Sequence, residues 1–432
     1  MAGIRGALPR DVRVISLIGA AHFFSHFFQL TLPPLFPLLR DELGVSYVVL
    51  GLMMGVFYAA SGIGQTVAGF LVDHLGARRI LLGGMLLLAS GIGLAGLSPS
   101  YWILVPIVLL AGLGNSVFHP ADYSILNASV TPHRLGRAYS VHGILGMLGF
   151  ATGPLVIVVL AGLLGWRTAL MTVGALGLVG VAFFATQAQA FSGADAAAPA
   201  GALGRAGRTP DFRVLLAPAI LMAFVFFALY ASAFIGIQTF AVAAMVALYD
   251  TPLALATGAL TAYLLGSAGG ILIGGFVADR ARRPDLVAAA GMLLSAAVTL
   301  LVASAALPAG ALPGAMALAG LFVGAINPSR DLIVRQATPA GASGRVYGFV
   351  YSGLDLGSSI TPLVFGWLLD HGRPRAVFVL VAGLLVLAII TVMRVRARAP
   401  STAISALHAP NGTIRGAVPA ASGRPQITGR TP

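Results

Sequence analysis

Residues 114–120 read Gly-Asn-Ser-Val-Phe-His-Pro, followed by Leu-Gly-Arg-Ala-Tyr-Ser at 135–140 and Ala-Thr-Gly-Pro-Leu-Val at 151–156. A second stretch matches it: Gly-Ala-Ile-Asn-Pro at 324–328, Ser-Gly-Arg-Val-Tyr-Gly at 343–348 and Ser-Ile-Thr-Pro-Leu-Val at 359–364. Pro120 and Pro328, Arg137 and Arg345, and Pro154 and Pro362 share one offset of 208 residues. Earlier in each half, Gly69-x-x-x-Asp73 pairs with Gly275-x-x-x-Asp279 at nearly the same offset. Two copies of one apolar unit, with polar residues in equivalent helices, are the sequence signature of a secondary transporter.

The rest of the chain fits a membrane solvent. Of 432 residues, 58% are hydrophobic and 9% charged, with a mean hydropathy of +0.93. A soluble domain of this length cannot bury so much apolar surface. The apolar runs are near 20 residues, the length that crosses roughly 30 Å of hydrocarbon. A spanning backbone must satisfy its own hydrogen bonds, so these runs are read as helices, and they lack the alternation of a membrane barrel. The net charge of +13 does not point to nucleic acid, because the arginines are scattered among short loops. Cysteine is absent, which excludes a disulfide framework, a thiolate nucleophile and an iron–sulfur site. The N-terminal stretch mimics a signal peptide but has no small-residue cleavage site before Pro33-Pro34, so an uncleaved first helix is expected.

Twelve spans are expected, near 14–38, 47–71, 80–97, 101–125, 138–162, 166–187, 214–244, 254–277, 285–305, 314–334, 345–369 and 375–394. They form an N-terminal six-helix half (14–187) and a C-terminal six-helix half (214–394). An Ala/Gly-rich linker (188–213) joins them, and a Pro/Gly/Ser/Thr-rich tail (395–432) is expected to be disordered. The arginines collect on one side of this topology, leaving only Arg40, Arg167, Arg373 and Arg375 on the other. The positive-inside rule then puts both termini and the linker in the cytoplasm.

Gly69-Phe-Leu-Val-Asp73-His-Leu-Gly76-Ala-Arg78-Arg79 resembles the loop 2–3 motif of the major facilitator superfamily, with His74 in place of the usual basic residue. Gly275-Phe-Val-Ala-Asp279-Arg280-Ala-Arg282-Arg283 looks like its degenerate second copy, one residue shorter and lacking the internal glycine. The resemblance covers about residues 14–394 and implies an all-α integral membrane fold of twelve transmembrane helices. Within the superfamily, His22-Phe23, the Gly114 to Pro120 motif and the Leu-Gly-Arg-Ala loop resemble the fosmidomycin-resistance type of exporter. His26 departs from it, standing where an Asn-Asp pair is expected. The resemblance implies proton-driven efflux of small polar or drug-like molecules by an inner-membrane monomer. Proton symport of a small carboxylate or sugar-like metabolite is the alternative on the same scaffold. An enzyme is not expected: no paired metal ligands, Ser-x-x-Lys dyad or soluble domain is present.

Particular residues carry the expected chemistry. Asp73, Arg78 and Arg79, with Asp279, Arg282 and Arg283 in the second copy, match the family's conformational latch, in which the Asp braces the N-terminus of span 11. The plainer reading is that basic loop residues only fix topology. His22 and His26 lie four apart on one helical face near mid-membrane, as proton carriers or as packed side chains. No cofactor or metal is expected, since two histidines are too few ligands and no Cys or carboxylate motif joins them in sequence. Asp355, about ten residues into span 11, is the expected coupling carboxylate, because keeping it charged costs on the order of 2.5–3.5 kcal/mol on insertion scales. The competing role is structural.

Span 4 carries Asn115, His119, Pro120, Asp122 and Tyr123, and span 10 carries Asn327, Pro328, Arg330 and Asp331. Each proline removes a helical N–H, so both spans should be kinked or broken here, which marks a transport pathway. Arg330 is read either as a clamp for an anionic substrate group or as a gate paired with Asp331 or Asp122. His142 lies near that group, and Tyr58 and Gln238 are expected to line the cavity. The glycines of 143–154 before Pro154 resemble an antiporter signature, or serve only as a helix contact surface.

Overall fold

The computed structural model describes residues 10–131, 134–187, 189, 212–281, 283–338 and 343–397. Every regular element among them is helical. The N-terminal half holds α1 (Arg10–Gln29), α2 (Phe36–Leu43), α3 (Tyr47–Leu75), α4 (Ala77–Ala95), α5 (Tyr101–Asn115), α6 (Phe118–Ser129), α7 (Leu135–Leu164) and α8 (Trp166–Thr186). The C-terminal half holds α9 (Pro218–Tyr249), α10 (Leu253–Arg280), α11 (Pro284–Ala303), α12 (Leu312–Gly324), α13 (Ile326–Ala337), α14 (Ser343–Asp370) and α15 (Pro374–Ala397).

Three expected spans are two helices each. The first breaks before Pro33-Pro34, where a 3-10 turn leads into α2. The fourth breaks between α5 and α6 and the tenth between α12 and α13, just ahead of Pro120 and Pro328, as the missing proline N–H groups require. Among the described residues, eleven spans are long and apolar enough to cross a membrane. The remaining one, α14, is long enough, but Ser352, Asp355, Ser358, Ser359 and Thr361 dilute its hydropathy. The linker lies outside the described residues except for Gln189 and the turn that begins at Phe212. The tail boundary needs correction: α15 continues to Ala397, past the expected end at 394, and residues 398–432 lie outside the described part.

Glycine sets the closest helix contacts. In the C-terminal half, Gly266, Gly270 and Gly274 of α10 meet Gly320 and Gly324 of α12 in a seam of backbone on backbone. A Cβ on Gly320 would stand 1.9 Å from the Tyr263 carbonyl oxygen, and one on Gly270 2.1 Å from that of Leu321. Small residues are what let membrane helices approach this far. In the N-terminal half, Gly149 and Gly153 of α7 lie on the carbonyls of Phe23 and Phe27 in α1. Gly146, Gly149 and Gly153 therefore act as a contact surface for α1, whereas Gly143 faces open space. Gly76, at the joint of α3 and α4, has φ 88°, a conformation that explains the glycine in the loop motif.

The two halves meet through α3 with α14 and α7 with α10. Along α3, Gly51 and Gly55 receive the carbonyls of Pro362 and Ser359, and Gly366 of α14 packs on Tyr47. Asp370, at the end of α14, accepts hydrogen bonds from the Tyr47 and Val48 amides at 2.7 and 2.8 Å, capping α3 across the interface. Phe36 and Tyr47 close on Phe240 of α9, with ring centroids 5.5 and 6.5 Å apart and all three rings buried. Further along α3, Gly62 meets Asp355. Toward the arginine-rich end, a Cβ on Gly69 would meet nothing within 4 Å, and Thr66, Gly69, Phe70, Pro120 and Ser124 border an open cavity of about 320 Å³. The halves touch at the Tyr47–Asp370 end, and the cavity between α3 and α6 opens toward the arginine-rich end.

Candidate functional site

The break between α5 and α6 changes the direction of the chain, and α6 leans on α1. His119 and Asp122 of α6 then face His22 and His26 of α1, and the α1–α7 contact adds His142. Asp122 is fully buried, and His22 and His142 nearly so. His142 Nε2 is 3.0 Å from Asp122 Oδ2, and His22 Nδ1 is 3.4 Å from the same oxygen but out of line for a hydrogen bond. The rings of His22 and His142 stack at 3.6 Å, with His26 at 4.3 Å and His119 at 5.1 Å from His22. Phe150 closes the far side of His26 at 3.9 Å. Tyr123, which is exposed, stands 5.2 Å from His142. Four imidazoles and one carboxylate thus share one site in the N-terminal half. Sequence separates them over three spans, so the pair expected at 22 and 26 belongs to a larger group.

The second repeat carries different chemistry at the same positions. Arg330 follows Asp122, and Asn327 follows His119, at the repeat offset of 208. Asn327 donates to the Gly324 carbonyl, which Pro328 leaves without its helical partner, and accepts from the Tyr230 hydroxyl at 3.1 Å. Arg330 Nε donates to Asp331 Oδ1 at 3.0 Å, and the Tyr351 hydroxyl donates to the same oxygen. The guanidinium lies over the rings of Phe227, Tyr230 and Tyr351, 4.8 to 5.9 Å from their centroids. Asp122 is not its partner: that carboxylate is enclosed by histidines.

Asp355 is exposed and lies at the seam between the halves, where a Cβ on Gly62 would come within 2.9 Å of its Cγ. Gly353 and Gly357, one helical turn apart, press the opposite face of α14 onto Phe224 and Ala228 of α9. Tyr58 of α3 faces Thr239 of α9 across the seam, misaligned for a hydrogen bond. Gln238 beside it is buried, with neither amide atom partnered. A polar bridge missed in sequence runs from Ser25 through Asn115 to Ser61, tying α1, α5 and α3.

Of the expected latch, Arg78 is half-buried, Arg79 is exposed, and Arg283 is engaged by Asp285 at the start of α11 at 2.7 Å. Arg282 and the side chains of Asp73 and Asp279 lie outside the described part.

The Major Facilitator Superfamily sequence model matches residues 18–260 and again 230–427. The chain belongs to the Major Facilitator Superfamily. Within this superfamily it is 26% identical to the Fosmidomycin resistance protein of Escherichia coli (strain K12) over 392 residues, covering 88% of this chain and 92% of that one. A Multidrug resistance protein B homolog of Mycobacterium tuberculosis is 33% identical over 120 residues, 28% of this chain and 22% of its own. The crystal structure of a bacterial homolog of the human lysosomal transporter Spinster, inward-facing and occupied, shares the fold. Its TM-score is 0.69 at 12% identity, over 91% of this chain and 97% of that one. As a superfamily member the chain is a multi-pass membrane transporter of small molecules, with efflux and multidrug-resistance proteins among its relatives, and not an enzyme.

Proposed function

We propose that this transporter is a proton-coupled efflux antiporter for small polar or drug-like molecules, a monomer working by alternating access in the inner membrane with both termini cytoplasmic. The arginine asymmetry puts the open end inside, so the conformation described is inward-facing. One observation carries the coupling: Asp355 rests on Gly62 at the seam between the halves. Rocking the halves to the outward-open arrangement separates α3 from α14 and lifts Asp355 off that glycine. The carboxylate then meets a different solvent in each state, which is what a residue that loads protons on one side and releases them on the other requires. Substrate would enter between Tyr123 and the Arg330–Asp331–Tyr351 group, with Tyr58 and Gln238 deeper. Asp73, Arg78 and Arg79, with their second copy, would brace the arginine-rich end when it closes.

The similarity to the Fosmidomycin resistance protein over nearly the whole chain supports export. Uptake of a small carboxylate by proton symport is favoured by one feature. Arg330 spends one donor on Asp331 and has others for an anionic group. Purified protein in liposomes, given an imposed pH gradient and a panel of anionic and drug-like compounds, separates the two. Antiport moves substrate against the proton flow and symport moves it with the flow. Compound movement that ignores the gradient would overturn both.

A further inference from the structure

We infer that His22, Asp122 and His142 form a binding site for one divalent transition-metal ion of the zinc, cobalt or nickel kind, resident in the N-terminal half, with His26 and His119 beside it. The donor atoms of His22, Asp122 and His142 lie within 4.8 Å of one another, and so do those of His22, His26 and His119. The two shortest separations, 3.0 and 3.4 Å about Asp122 Oδ2, bracket the roughly 3.3 Å between tetrahedral donors held about 2.0–2.1 Å from zinc. Imidazole with a single carboxylate suits this class of ion, whereas magnesium or calcium would need mainly oxygen donors.

A set of packed histidines does not explain the unsatisfied atoms. His22 Nδ1 and Asp122 Oδ1 are buried with no hydrogen-bond partner, each at a cost that a bound ion would offset. Gly146 packs against His26, since a Cβ there would stand 3.3 Å from its Cε1. Gly146 also admits His22, since a Cβ there would stand 2.6 Å from its Cδ2. Half-buried His119 stacks on exposed Tyr123 at 6.1 Å, next in sequence to Pro120 and Ser124 of the cavity. Every ligand comes from α1, α6 or α7, so rocking the halves does not dismantle the site. An ion held there would pin α1 to α6 and α7 through the transport cycle.

The test uses the full chain in detergent with any affinity tag removed, stripped with chelator and dialysed. Zn²⁺ is titrated by calorimetry, and Co²⁺ by its visible absorption, which reports tetrahedral N/O coordination. The parent is expected to bind one ion per chain, with a rise in thermal midpoint. Asp122→Asn and His142→Ala are expected to weaken binding by at least about 100-fold, beyond the loss typical of outer-shell changes. Asp355→Asn should bind the ion as the parent does, so failure of the coupling proposal and failure of this one are distinguishable. If either cluster variant misfolds, Gly146→Ala supplies a milder displacement of His22 and should also weaken binding. Absence of Zn²⁺ binding by the folded, stripped parent would overturn the site. So would equal affinity in the folded cluster variants, or Co²⁺ spectra of octahedral oxygen coordination.

Discussion

Asp355 of α14 and Gly62 of α3 touch across the interface of the two halves, so closely that a Cβ on Gly62 would come within 2.9 Å of the carboxyl carbon. No larger residue fits beneath the carboxylate without moving it. If coupling runs through this seat, Asp355→Asn abolishes gradient-driven transport while leaving gradient-independent substrate exchange. Concentrative transport unchanged in the mutant would remove Asp355 from the coupling step. Gly62→Ala should wedge the seam and shift the protein away from the described conformation, read as lower labelling of single cysteines placed in the open cavity.

The Tyr47–Asp370 end depends on a charge at a helix terminus. Asp370 holds two amides of α3 from the opposite half. Hydrogen bonds to a charged group are worth about 1.5–3 kcal/mol, and the exposed geometry puts this one at the low end. Asp370→Ala should therefore move the conformational equilibrium toward outward-open by roughly tenfold. Paired labels on the Tyr47 and Gly366 sides of the seam would widen. An unchanged distance distribution would leave the aromatic contact of Phe36, Tyr47 and Phe240 and the glycine contacts of α3 with α14 holding this end.

Arg330 lies in an aromatic frame with Asp331 as its described ion-pair partner. As a gate, Arg330→Gln should reduce transport of neutral and anionic compounds alike, with partial recovery in the double variant with Asp331→Asn. Asp122→Asn should give no recovery, because Asp122 faces histidines. Arg330→Lys should rescue poorly, since an ammonium loses the planar stacking on Phe227 and Tyr230. A selective loss of anion affinity without rescue would instead mark a substrate clamp.

The glycine seam of α10 and α12 predicts a stability effect far from any site. Gly320→Ala places a methyl 1.9 Å from the Tyr263 carbonyl oxygen and forces the helices apart, an overpacking cost of about 1–3 kcal/mol. Its thermal midpoint in detergent should fall. Gly258→Ala, at a position with open space, should not change it. Equal midpoints would contradict the seam's contribution.

Most of the fold was legible because its signals are local. Apolar run length gave the spans, Pro120 and Pro328 gave the two matched breaks, and the repeat offset tied the halves together. The histidine–aspartate cluster was not legible. His22, Asp122 and His142 sit on three helices whose rotation about their own axes no single-span pattern fixes, and the turn at Ser116–Val117 decides which way Asp122 points. Asp355 was recognised by type and depth, but its seat depends on Gly62, some 290 residues earlier. The Asp370 cap left a faint signal: an acidic residue ending one span, and a span start at which Ser46 caps only the Val49 amide.

The α10–α12 seam also decides where motion can be measured. Two backbones in direct contact have no side chains between them to repack, so distances within that pair should stay constant while the transporter turns over. The natural chain has no cysteine to compete for a probe. Spin labels on the outer faces of α10 and α12 would be fiducial marks. Any change in their distance to a label on α4 or α8 would be displacement of one half as a body, and any change between the two marks would be local unfolding.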